Sequence, residues 1–186
     1  MSATRRSFLA AASGSIALQV AAKPAGATPS IASGAEIAEL LNLSRDSNAA
    51  LMRGDVEAYR ALITLSDDFT LMSPFGGKPT HGSTLTDEQW EAMGRFFRNG
   101  DFRLELVQAY GSADMVVLAL IERSNVEVGG LPAQEWALRV TLVYHREGSE
   151  WRLAHRHADP LANGISLHQA AALAQGVTAS AGEPRD

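Results

Sequence analysis

The apolar positions change their period twice along the chain. From Glu36 to Met52 they recur at helical spacing. Ile37, Leu40, Leu41, Leu51 and Met52 fall on one face, with Ser44 and Asn48 along the same stripe. Gly54 suits a left-handed stop, and Asp55 suits the cap of a second helix that turns Val56, Tyr59, Leu62 and Ile63 inward. Residues 67–74 shift to an extended pattern around Phe69 and Leu71, ended by Phe75-Gly76-Gly77. Thr86-Asp87-Glu88-Gln89 fits a capping box. The helix it opens runs to about Arg98 and packs Trp90, Met93 and Phe97. From Phe102 the period becomes two, which predicts four strands over 102–110, 113–128, 133–146 and 150–157. The turns between them, Gly111-Ser112, 129–132 and 147–149, are short enough to join antiparallel neighbours. Residues 166–174 suit a short terminal helix, and 176–186 a frayed end. Three helices followed by a meander predict an α+β domain, with the helices covering one face of a curved sheet.

The first 27 residues stand apart from this pattern. Arg5-Arg6 precedes an apolar, Ala-rich run from Phe8 to Ala22, and Ala25-Gly26-Ala27 offers small residues for cleavage. Thr4-Arg5-Arg6-Ser7-Phe8-Leu9 resembles a twin-arginine export signal. The run is short for a bilayer core, which argues against a permanent anchor. The expected division is a signal peptide over 1–27, a linker over 28–35, one domain over 36–162, and a short helix with a flexible tail over 163–186. The expected location is periplasmic or secreted. Cleavage removes Arg5, Arg6 and Lys23 and no acid, so the net charge moves from −5 to −8. An acidic chain lacks the basic stripe of a nucleic-acid binder. With no cysteine, disulfides, thiolate metal sites and cysteine nucleophiles are excluded. Phosphate-loop, nucleophile-elbow and H-E-x-x-H signatures are also absent from the sequence. No cofactor is expected.

The strand at 150–157 carries the most suggestive chemistry. Strict alternation puts Trp151, Leu153, His155 and His157 on one face. Two core residues leading into two imidazoles predict histidines on a buried or pocket surface, able to do acid–base work, to bind a metal with His81 and Asp68 as further ligands, or to be hydrogen-bonded structural groups. Asp68 is the candidate carboxylate to face His157 and fix its tautomer. Tyr59, Trp90, Phe97 and Trp136 are candidate walls of an apolar cavity, or plain core. Arg139 shares a face with Thr141 and Val143, while Glu122 continues the apolar face of Val116, Leu118 and Leu120. Charges that prolong apolar faces need partners. Glu122 and Glu135 are candidates for Arg123 and Arg139, and Arg139 is also a candidate fork for a ligand carboxylate.

Three stretches, in order, resemble the nuclear transport factor 2-like superfamily, which includes the SnoaL-like polyketide cyclases and the ketosteroid isomerases. They are Gly54-Asp55-Val56-Glu57-Ala58; Asp67-Asp68-Phe69-Thr70 with Pro74-Phe75-Gly76 and His81-Gly82; and Tyr144-His145-Arg146, Gly148, Trp151 and His155-Arg156-His157. The resemblance covers residues 37–160. It implies a cone-shaped α+β barrel, three N-terminal helices packed on a strongly curved antiparallel sheet, and a homodimer formed through that sheet. It also implies that His157 points into the cavity. The isomerase chemistry does not carry over. Ser73 stands where the carboxylate base would be, Ser47 where the tyrosine oxyanion donor would be, and about Val140 where the protonated aspartate would be. The pocket arginine of the kinase association domain in this superfamily falls on Leu142.

The resulting expectation is an exported protein that holds a small, largely apolar molecule in a conical pocket. His157, His155 and Asp68 are the catalytic candidates for non-redox acid–base chemistry of the isomerase, cyclase or hydratase kind. Tyr59, Ser73, Trp90, Phe97, Trp136 and Arg139 are the ligand-binding candidates. The alternative is a non-catalytic ligand-binding or dimerisation module.

Overall fold

The computed structural model describes residues 31–175. The export segment at 1–27, the first three residues of the linker at 28–35 and the tail at 176–186 therefore lie outside the described residues.

Helix α1, Gly34–Met52, starts at a capping box in which Ser33 and Glu36 satisfy each other's backbone N–H groups. Arg146 hydrogen-bonds Glu36 and ties this helix end to the sheet. That bond, with those from Ser33, holds the Glu36 carboxyl down at about 2. Gly54 then reverses the chain at φ +84°. Helix α2, Val56–Leu62, follows under an Asp55 cap.

Strand β1, Leu65–Met72, comes next, then the two-residue β2, Thr80–His81, and a single 3-10 turn. The capping box at Thr86 and Gln89 opens α3, Asp87–Phe96, as its sequence predicts. The helix stops two residues earlier than about Arg98, because Phe97–Arg98 forms a short strand, β3. The meander consists of β4 (Arg103–Gly111), β5 (Met115–Val128), β6 (Leu131–Glu147) and β7 (Glu150–Pro160). Helix α4, Leu167–Ala174, lies beyond it. The β5–β6 turn is only Gly129-Gly130, both at positive φ, so Leu131 and Pro132 belong to the strand.

The expected cone-shaped barrel of antiparallel strands behind three N-terminal helices needs correction on three points. Only α1 and α2 precede the sheet, since β1 and β2 intervene before α3. The sheet is mixed, because β1 runs parallel to β7. It is also open. Its order is β2-β1-β7-β6-β5-β3, with β4 also on the outer edge of β5, and the two ends do not pair. The physical reason is how the concave face is covered. The helices fill it, so its apolar surface is buried without strand-to-strand closure. Leu40 of α1 joins Val116, Leu118, Val140 and Leu142 in one cluster, and Trp90 of α3 joins Tyr59, Phe97 and Val126 in a second.

One irregularity decides where the site lies. In the β6–β7 ladder Tyr144 pairs with Leu153, but its neighbour Val143 pairs with His155. Ala154 is therefore an extra residue, a bulge that switches every later side chain of β7 to the opposite face. Before it Leu153 faces the core; after it Arg156 and Ala158 do.

Candidate ligand-binding site

Between the concave sheet and the helices lies a cavity of about 580 Å³. This is within the roughly 300–1,000 Å³ usual for small-molecule sites. Its walls are aromatic because α2, α3 and β3 each turn a ring toward the sheet. Tyr59 and Trp90 lie 6.0 Å apart between ring centres. Phe96 meets Phe97 edge-on at 5.1 Å, and Phe97 meets Trp136 of β6 at 6.5 Å. The loop after β1 contributes Ser73, Pro74 and Phe75. Phe75 is 56% exposed, yet it packs at 5.3 Å on Phe96 and 5.5 Å on Trp136. It forms part of the cavity rim.

The floor is polar. Both terminal nitrogens of Arg156 donate to Glu122, to Oε1 at 2.8 Å and to Oε2 at 2.6 Å. The pair spans β6, since Glu122 lies on β5 and Arg156 on β7. The side chains are only 5% and 14% exposed. Burial by itself would pull the guanidinium down. The attraction of Glu122 and its hydrogen bonds outweigh that and hold Arg156 above its ordinary value. Burial raises the Tyr59 phenol. It also pushes the Tyr144 phenol up to about 12, against the hydrogen bond from Ser44 that favours the phenolate. The Ser44 hydroxyl meets the Tyr144 hydroxyl at 2.8 Å and the Leu40 carbonyl at 2.7 Å. Asn48 donates to the Ser44 carbonyl at 2.8 Å and borders the cavity, as does Ser124.

The sequence candidates divide between two faces. Tyr59, Ser73, Trp90, Phe97 and Trp136 line the cavity. His155 and His157 lie on the outer face of the sheet because the Ala154 bulge breaks the alternation, and Arg139 lies there by the ordinary alternation of β6. His155 Nδ1 is 2.7 Å from the Thr70 hydroxyl. His157, 43% exposed, has Nε2 3.5 Å from Asp159. Arg139 also pairs with Asp159, at 3.8 Å, rather than with Glu122 or Glu135. Asp68 is exposed and takes a hydrogen bond from Ser66 at 2.6 Å. The expected approach of Asp68 to His157 does not occur.

Glu122 and Arg156, the two charges that border the cavity, are not among the ligand-binding candidates that the sequence suggests. Glu122 carried a signal, a lone acid prolonging the Val116–Leu120 face. Arg156 carried none, since alternation put it outside. Among the described residues no three His, Asp or Glu side chains gather into a metal-binding group.

An open curved sheet, a helical cover and an apolar cavity with a polar floor define a small-molecule-binding type of fold. Residues 41–162 match the family model of the SnoaL-like domain, and the chain belongs to that family. No curated protein matches it. Among solved structures it is similar to a proposed dehydratase of the nuclear transport factor 2-like family from Streptomyces avermitilis. That similarity has a TM-score of 0.58 at 17% identity and covers 70% of this chain and 100% of that one. A nuclear transport factor 2-like superfamily protein from Salmonella enterica scores 0.54 at 18% identity, over 72% and 94% of the two chains. A proposed calcium/calmodulin-dependent protein kinase type II association domain from Thiobacillus denitrificans scores 0.52 at 23%, over 64% and 93%. These likenesses establish the fold alone.

Proposed function

We propose that this protein binds a small, largely apolar molecule between its helices and the concave face of its sheet, without acid–base catalysis by its histidines. The observation that carries the reading is the cavity: about 580 Å³, walled by aromatic rings, with its one buried charge pair internally compensated. The positions of His155, His157 and Asp68 outside that space favour binding over the isomerase-type alternative.

A neutral fluorescent probe, N-phenyl-1-naphthylamine, tests this. One molecule per chain should bind the wild type. Met93→Trp, at a half-buried position of α3 that borders the cavity, should abolish binding while the protein still unfolds cooperatively. Equal probe binding by a folded Met93→Trp variant would sink the proposal.

Export and dimerisation remain part of the reading. The twin-arginine-like segment supports delivery to the periplasm or medium, and fractionation with a mass measurement of the exported chain tests it. Exposed Val107, Tyr110 and Met115 on the outer sheet face support a homodimer there, which light scattering would reveal.

A further inference from the structure

The charge pair under the cavity constrains what the cavity accepts. Each oxygen of Glu122 already receives one N–H from Arg156, at 2.8 and 2.6 Å, so two of the five guanidinium N–H groups are spent within the protein and the positive charge is compensated there. The pair is buried and its net charge is zero. A ligand carboxylate placed here would lose its hydration, and the attraction of Arg156 would be offset by the repulsion of Glu122 beside it. A ligand ammonium would meet the converse problem.

A neutral group that both donates and accepts finds partners. A carboxylate has about four lone-pair positions, so Glu122 has acceptor capacity left for a ligand N–H or O–H. Asn48 spends one amide proton on the Ser44 carbonyl, which leaves its own carbonyl oxygen as a second acceptor. The hydroxyls of Tyr59 and Ser124 make no hydrogen bond to other described residues and can donate to a ligand oxygen.

Resting on the ligand-binding reading above, we propose that the cavity selects uncharged molecules. These have an aromatic or alicyclic body ending in a carboxamide- or hydroxyl-like group, and Glu122 masks Arg156 so that matching carboxylates are rejected.

Calorimetry with three probes of one shape tests this: naphthalene, 2-naphthamide and 2-naphthoate at neutral pH. The wild type should bind the amide at least about tenfold more tightly than either of the others, a gap of roughly 1.4 kcal/mol. Glu122→Gln removes the mask, and its affinity for naphthoate should rise about tenfold or more. The double variant Glu122→Met/Arg156→Met should bind the amide less tightly than the wild type, because the Glu122 acceptor is gone, while Asn48, Tyr59 and Ser124 keep part of its preference over naphthalene. Naphthoate binding the wild type as tightly as the amide would overturn the proposal. So would a cooperatively folded Glu122→Gln variant with unchanged naphthoate affinity. If Glu122→Gln does not fold, a folded double variant with the wild-type affinity for the amide overturns it instead. Failure of all three probes to bind the wild type would remove the ligand-binding reading itself, a different result from binding without charge selection.

Discussion

Removing one member of the Glu122–Arg156 pair should be far more damaging than removing both. Arg156→Met leaves the Glu122 carboxylate 5% exposed with neither of its two charge-assisted hydrogen bonds. Stranding a buried charge costs about 3–5 kcal/mol. A domain of this size has roughly 5–15 kcal/mol in total, so the loss is a large share of its stability. With a urea slope of about 2 kcal/mol per molar, a loss of ~4 kcal/mol lowers the unfolding midpoint by roughly 2 M. Glu122→Met strands the guanidinium and should behave similarly. The double Met variant removes both desolvation penalties and fills the space with apolar atoms, so it should be within about 1–2 kcal/mol of wild type or more stable. The assay is urea unfolding of all four proteins, giving a double-mutant cycle. Single variants that each lose under about 1 kcal/mol would show that water screens the pair. Additive losses in the double variant would show that the two side chains do not act as a unit.

Two further outcomes follow from local geometry. Gly54→Ala must hold a side chain at φ +84° with its Cβ 2.9 Å from the backbone carbonyls of both Gly94 and Phe97, which cannot swing away. It should lose more than about 2 kcal/mol, whereas Gly76→Ala, at φ +74° in open space, should lose only the ~1–2 kcal/mol of the left-handed backbone. Equal losses in urea unfolding would refute the contact argument. Tyr144 keeps its proton up to about 12 in the fold, against 10.0 for the free phenol. Its contribution is therefore complete below pH 10 and lost as pH rises toward 12, roughly 2–3 kcal/mol over that interval. Tyr144→Phe loses about 1 kcal/mol at neutral pH with the Ser44 hydrogen bond. Because it has no phenol to titrate, the wild type should fall to its stability within about one pH unit above 10 and lie below it by pH 12. Stability curves that stay parallel through alkaline pH would refute this.

The helix starts were legible because their chemistry is local. A capping box needs only the four residues from Thr86 to Gln89, and Gly54-Asp55 lies in a connection of three residues between two helices. The hairpins were legible for the same reason. The course of β1 was not. Its extended pattern around Phe69 is readable, but its partner is β7, some eighty residues later and parallel to it, with no turn between them to announce the pairing. Counting three N-terminal helices came from giving that strand no place in the sheet. Closure into a barrel is likewise a property of both edges at once, and no residue of either edge states it.

The aromatic wall and the histidines show why one half of the site was readable and the other was not. Tyr59, Trp90 and Trp136 reach the cavity because each is placed by its own element's period, and Phe97 reaches it although the helix ends one residue before it. His155 and His157 follow the same rule of alternation from Leu153, but the rule fails at Ala154. Nothing about an alanine in a strand marks a bulge, since any small residue fits there. What the bulge accomplishes is visible only across the sheet. Without it Arg156 would point away from Glu122, and His155 would take its place opposite Leu142. An imidazole cannot make the two-pronged bond that Arg156 makes to both oxygens of Glu122. A bulge costs one ladder pairing, whereas a buried carboxylate without its charge partner costs several kcal/mol. The same one-residue shift that turns the imidazoles outward brings in the arginine that neutralises the cavity floor.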